Sequence, residues 1–110
     1  LILDNGTTAM TGLQEHPGTG RTLDHRRTGR VVFEDLARSL GVRRVEAADP
    51  VTDAAGFEKL LTECLASGET AVIVARRPCV LAAGTIKAYE RASAERAEAC
   101  GCETGECEQP

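Results

Sequence analysis

Apolar positions along the chain change their period several times, and each change marks an element. Leu1, Ile2 and Leu3 form a short apolar run, the end of a buried strand, stopped by Asp4, Asn5 and Gly6. Residues 4 to 30 lose any period and read as an irregular loop, with a helical turn around Thr8 to Leu13. The pattern resumes over residues 31 to 41, where Val32, Phe33, Leu36 and Leu40 follow the spacing of one helical face. Glu34 and Asp35 fall in the first turn, where carboxylates suit the helix dipole, and Gly41 stands as the C-terminal stop. Residues 42 to 50 then predict a short strand that ends before Pro50.

The second helix has the clearest period. Phe57, Leu60, Leu61, Cys64 and Leu65 repeat at i, i+3, i+4, i+7 and i+8, with Asp53 as N-cap and Gly68 just past the end. Residues 70 to 78 hold an unbroken apolar run from Ala71 to Ala75, the pattern of a strand covered on both faces in a parallel sheet. Strand, loop, helix, strand, helix, strand is an α/β order with a mostly parallel sheet. Beyond it, Lys87 to Ala99 is rich in Ala, Glu and Arg with a thin stripe at Ile86 and Tyr89, and reads as a solvent-facing helix or a linker. The last stretch, CGCETGECEQP over residues 100 to 110, is expected to be poorly ordered.

Composition narrows the function class. With 110 residues the chain makes at most one domain, and with aromatics at 3% its core must be built from Val, Leu, Ile and Ala. A net charge of −4 with signs interspersed argues against a nucleic-acid binder. The Arg-rich segment RTLDHRRTGR, residues 21 to 30, is expected to be a solvated connection, with His25 on the surface. No run approaches the ~18 apolar residues of a membrane span, and no signal-peptide pattern opens the chain. Leu1 stands where an initiator Met would, so a fragment of a longer, cytoplasmic chain is expected. Disulfides are not expected in that compartment.

In an open parallel sheet, ligands bind where loops leave the carboxyl ends of strands. The loop LDNGTTAMTGLQEHPGTG leaves such an end. Asn5 offers a neutral side-chain oxygen and Thr7 a main-chain carbonyl two residues on, both hard donors suited to Mg²⁺ beside phosphate. The Thr8 and Thr11 hydroxyls, with N–H groups near Gly12, could hold phosphate oxygens. Residue types alone leave the simpler reading, a plain turn, open.

The same loop resembles the second half of the thiamine-diphosphate motif of 2-oxoacid:ferredoxin oxidoreductases. It is most similar to the large (alpha) subunit of the indolepyruvate:ferredoxin oxidoreductase family, in which Asp-Asn runs into Thr-Thr-Ala-Met-Thr-Gly and then Gln-x-His-Pro-Gly-Thr-Gly. The likeness continues through FEDLARSLGV, Asp49-Pro50, FEKLLTECLASGE and VIVARRPCVL. It implies residues 1 to 82 as the C-terminal half of a three-layer α/β/α thiamine-diphosphate-binding domain; beyond the likeness, composition alone sets 83 to 99 as a helix or linker and 100 to 110 as a Cys-rich, poorly ordered tail.

The resemblance also implies a site. Asn5 and Thr7 would be Mg²⁺ ligands, while Thr8, Met10, Thr11 and Gly12 would lie along the cofactor. A third family ligand, an Asp in a Gly-Asp-Ser/Gly element upstream, is absent from these residues. The implied activity is oxidative decarboxylation of an arylpyruvate: CO₂ leaves, coenzyme A takes the acyl group, and electrons pass through [4Fe–4S] clusters of the full-length enzyme to ferredoxin. A beta subunit is the implied partner. The chain alone would be inactive, since the activating Glu belongs to another domain.

His16 carries two readings: a group at the substrate carboxylate or a proton carrier, and a cap on the loop before Pro17-Gly18. Cys100, Cys102 and Cys107 give C-x-C-x4-C, three cysteines where two ferredoxin-type clusters take eight, and a poor tetrahedral Zn²⁺ set. Cys64 is expected in the core and Cys79 is read as structural. Two alternatives stay open: a non-redox decarboxylase of sulfopyruvate or phosphonopyruvate type, and a non-catalytic α/β interaction module.

Overall fold

The computed structural model describes residues 1 to 100, with side chains to residue 96. Cys102 and Cys107, and with them the reading of the tail, lie outside the described residues. Two compact units divide the chain. The first joins Leu1–Asn5 to Val32–Arg77, and the second joins Gly6–Val31 to the segment from Pro78 onward.

The first unit is a three-stranded parallel sheet with two helices in the connections. Strand β1 (Ile2–Asp4) leads to helix α1 (Phe33–Ser39), β2 (Arg44–Ala48), α2 (Ala54–Ala66) and β3 (Ala71–Arg76). The sheet order is β1-β3-β2, so the most apolar strand takes the centre. Ile2 pairs with Val74 and Asp4 with Arg76 on one side, while Arg44 pairs with Ala71 and Ala48 with Ala75 on the other. Successive strand side chains point to opposite faces. Ile73, Val74 and Ala75 are all buried in a row, so both faces of β3 are covered, and Val74 is fully buried.

Each helix stops where its glycine predicts. At the end of α1, Gly41 takes φ +88°, its N–H bonds the Arg38 carbonyl, and the Val42 N–H bonds the Ala37 carbonyl. That pair of bonds is the Schellman arrangement, and the left-handed φ is why glycine sits there. At the start of α2, Asp53 Oδ1 accepts the Gly56 N–H at 2.9 Å, the expected cap.

The apolar faces differ from the predicted ones. In α1 the residue driven inside is Ala37, while Leu36 and Leu40 are exposed. In α2 Cys64 is buried as expected, Phe57, Leu60 and Leu61 are half-buried, and Leu65 is 77% exposed. Leu1, just before β1, and Leu3 within it are exposed, and β1 pairs only with β3 among the described strands. A spacing rule marks which residues share a face; how wide a strip is covered depends on the layer laid against it.

The second unit pairs the long opening loop with helix α3 (Ala83–Cys100). This helix starts four residues ahead of the Ala/Glu/Arg-rich stretch, because Ala82 and Ile86, both buried, anchor its first turn. Its start at Ala83 is the start of the segment set as a helix or linker, although Gly84 and Thr85 are weak helix formers. No helix of the described residues is long and apolar enough to cross a membrane.

Candidate functional site

Asp4 ends β1 and is the last fixed point before the loop. Its main-chain carbonyl accepts the Arg77 N–H at 3.0 Å, and its carboxylate accepts Arg76 Nε at 2.8 Å. The far side of the same guanidinium grips Glu34 of α1 with two nitrogens, at 2.9 and 3.0 Å. Arg76 therefore staples the carboxyl ends of β1 and β3 to the first turn of α1. The hydrogen bonds from Glu34 and Asp4 raise its pKa well above the ordinary guanidinium value, so it is a permanent cation. At the end of β2, Arg77 Nη1 lies 2.9 Å from Asp49. Hydrogen bonds from the Thr52 hydroxyl and the Val51 N–H, with a smaller contribution from the Arg77 charge, lower Asp49 to about 2. Asn5, half-buried, closes the first unit. A recess of about 360 Å³ lined by Leu40, Gly41, Val42, Arg43, Glu69 and Thr70 lies at the opposite, amino end of the strands, away from where such sheets bind ligands.

In the second unit the opening loop folds back on itself. Thr8 and Gln14 exchange both main-chain hydrogen bonds, at 2.9 and 3.3 Å, and the Thr7 hydroxyl adds a bond to the Gln14 carbonyl at 3.2 Å. Between these ends the 3-10 turn Ala9–Thr11 forms a crown. Met10 at its tip is 97% exposed, and Thr8, Thr11 and Gly12 are exposed beside it. The crown thus gathers four of the sequence-predicted cofactor residues on one projecting turn. Its polar groups are committed locally: the Thr11 hydroxyl donates to Gln14 Oε1 and the Gly12 N–H points to the Ala9 carbonyl. A phosphate taken here exchanges for those bonds.

His16 follows the crown. Its Nδ1 accepts the Gly18 N–H at 3.1 Å, and its carbonyl accepts both the N–H and the hydroxyl of Thr19, each at 2.9 Å. This is the capping geometry, and it leaves the proton of a neutral ring on Nε2.

The Arg-rich segment departs from the sequence reading. It is a tight hairpin in which Thr22 bonds Arg26 and Thr28 bonds Gly20, with His25 in a left-handed conformation at φ +60°. Arg21 is buried, its Nε 2.8 Å from Glu15 Oε1, and the same oxygen lies 2.8 Å from His25 Nδ1. The His25 ring stacks on Tyr89 of α3 with centroids 3.6 Å apart and planes 11° off parallel. Burial pushes the Glu15 carboxyl up, but hydrogen bonds from Arg21, Thr19 and His25 outweigh it, so the net shift is downward. Periodicity cannot find such a cluster, since Glu15, Arg21 and Tyr89 share no element. The one sequence signal was the density of Arg and His directly after the His-Pro-Gly turn.

No group of three His, Cys, Asp or Glu gathers among the described residues. Asn5 and Thr7 offer neutral oxygens that would be available to a metal at this loop. Two neutral oxygens suit Mg²⁺ that arrives with phosphate charge, and do not suit a tetrahedral Zn²⁺.

Known proteins are similar to this chain in sequence. The indolepyruvate oxidoreductase subunit IorA of Methanothermobacter marburgensis is 34% identical over 101 residues, covering 91% of this chain and 16% of its own length. The subunit of that name from Archaeoglobus fulgidus is 40% identical over 81 residues, 74% of this chain and 13% of its own. That of Thermococcus kodakarensis is 38% identical over 81 residues, 74% and 12% respectively. The chain thus spans about one-sixth or less of the length of these relatives. No solved structure matches it significantly. The family model described as thiamine pyrophosphate enzyme, C-terminal TPP binding domain, matches residues 1–75, from β1 through the crown, α1, β2 and α2 into β3. The chain belongs to this family of C-terminal thiamine-pyrophosphate-binding domains.

Proposed function

We propose that the chain is the cofactor-anchoring part of an indolepyruvate:ferredoxin oxidoreductase. The observation that carries the reading is the family match over the stapled strand end and the crown, joined to relatives that are all named as indolepyruvate oxidoreductase subunits. Asn5, through its side-chain oxygen, and Thr7, through its carbonyl, hold Mg²⁺. Thr8, Met10, Thr11 and Gly12 lie along the cofactor, and His16 meets the substrate carboxylate or moves a proton through Nε2. Thiamine diphosphate, when bound, supplies the electron sink for decarboxylation of a 2-oxo acid.

The rest of the reading follows from the relatives' name and the family chemistry. The 1–82 segment acts as half of the binding domain, the upstream acidic ligand and the activating Glu come from other parts of a longer chain, and a beta subunit completes the enzyme. Electrons leave through [4Fe–4S] clusters to ferredoxin in the cytoplasm, and coenzyme A accepts the acyl group.

The test is reduction of ferredoxin or a viologen dye by the complete enzyme, with arylpyruvate, coenzyme A and thiamine diphosphate all required. Acyl-CoA formed in step with dye reduction supports the reading. Aldehyde and CO₂ without dye reduction would make the protein a simple decarboxylase, and no turnover of any 2-oxo acid would leave a binding module.

A further inference from the structure

The buried guanidinium of Arg21 reaches further than its pair with Glu15. Its Nη2 lies 3.4 Å from the carbonyl of Gly6, the residue between Asn5 and Thr7, and its Nη1 lies 3.7 Å from Glu90 of α3. Gly6 has φ +75°, and a side chain at that position would sit 3.5 Å from Cδ1 of Ile86, also on α3. Ile86 of α3 thus borders the space a Gly6 side chain would take, and Arg21 reaches the Gly6 carbonyl. The His25–Tyr89 stack ties the hairpin that carries Arg21 to the same helix. Three anchors on α3, at Ile86, Tyr89 and Glu90, lie within five residues, and all fall beyond the segment matched by the family model.

We propose that Arg21 is the positioning residue of the Asn5-Gly6-Thr7 turn, and that α3 is the backing that holds Arg21 in place. A guanidinium offers five donors in a rigid fork, so one side chain bonds Glu15 and the Gly6 carbonyl together and pairs more loosely with the exposed Glu90. With the Gly6 carbonyl fixed, the peptide that follows it is fixed too, and with it the direction of the Thr7 carbonyl. Glu15 and Glu90 face the same guanidinium, at 2.8 and 3.7 Å. The identity of the ion that the turn holds rests on the proposed function; the control of the turn by Arg21 does not.

Two measurements separate these parts. In the complete protein ¹⁵N-labelled at Gly, Thr and Val, Arg21→Met shifts the amide resonances of Gly6 and Thr7 and leaves those of the β2 and β3 valines in place, and Arg21→Lys shifts them less. In the complete protein, titration of Mg²⁺ at saturating thiamine diphosphate shows affinity reduced about 10- to 100-fold in Arg21→Met, the usual cost of losing a group that orients a metal ligand, with part recovered in Arg21→Lys. Unmoved Gly6 and Thr7 resonances overturn the proposal, as does unchanged Mg²⁺ affinity in a parent that binds. A parent that takes up no thiamine diphosphate defeats the functional reading, and the resonances then decide the role of Arg21 alone. Where Arg21→Met loses the β2 and β3 signals through unfolding, Glu90→Gln replaces it. That variant removes only the outer anchor; smaller shifts at Gly6 and Thr7 support the proposal, and none overturns it.

Discussion

Replacing Arg76 by Ala removes a cation that joins β1, β3 and α1. Asp4 and Glu34 are then left as carboxylates whose side chains are only 8% and 14% exposed. A hydrogen bond to a charged group is worth roughly 1.5–3 kcal/mol, and the arginine makes such contacts to both carboxylates. Its own side chain is 39% exposed, which pulls each contact toward the roughly 0.2–1 kcal/mol of solvent-screened pairs. Between these limits the expected loss is about 2–4 kcal/mol, a large part of the ~5–15 kcal/mol that a domain possesses. Urea unfolding measures it as a lower midpoint at unchanged slope. A double-mutant cycle with Glu34→Gln isolates the bidentate pair, and a coupling of about 1 kcal/mol or more is expected. Arg76→Lys falls between parent and Ala, because one ammonium cannot fork to both carboxylates. A loss below about 0.5 kcal/mol with additive single variants would refute the staple and reduce Arg76 to a surface ion pair.

Other outcomes follow from the same structure. Because Glu15 is shifted downward in the folded state, its ionised form adds stability above its unfolded pKa of about 4.5, and that stability is lost as pH falls through the folded value; Glu15→Gln removes this part of the acid limb of a pH–stability profile. Asp49 acts in the window from 3.8 down to about 2, so a Thr52→Ala variant unfolds at a higher pH within that limb. Val74→Ala deletes two buried methyl groups from the central strand and costs about 2–3 kcal/mol by thermal or urea unfolding. Gly41→Ala puts a Cβ on a residue at φ +88° and costs about 1–2 kcal/mol, whereas the same change at Gly29 costs less.

The strands, the helix stops and the burial of both faces of β3 were legible because they rest on local signals: a continuous apolar run, an Asp cap, glycines at helix ends. The limits of the apolar faces were not. Leu65 and Leu40 share their helices' apolar spacing yet are exposed, since the spacing does not say where the covering layer ends. The hairpin at Arg21–Arg30 was read as solvated because its charges are dense, and charge density is blind to a partner such as Glu15 or Tyr89. His16 is a different case. Its context left a cap and a role at the substrate both open, and the fold shows the Gly18 N–H on Nδ1 without deciding between them. The opening loop stood out in sequence through its residue types, while the crown and its Thr8–Gln14 closure became visible only in the fold.

The central claim is that the turn after β1 anchors thiamine diphosphate through Mg²⁺. Calorimetric titration of thiamine diphosphate, with and without Mg²⁺, into the longest natural chain that carries these residues and into its Asn5→Ala variant tests it most directly. The account predicts binding that requires Mg²⁺ and falls at least about 10-fold in the variant. Equal binding by parent and variant, or none by the folded parent, would contradict it.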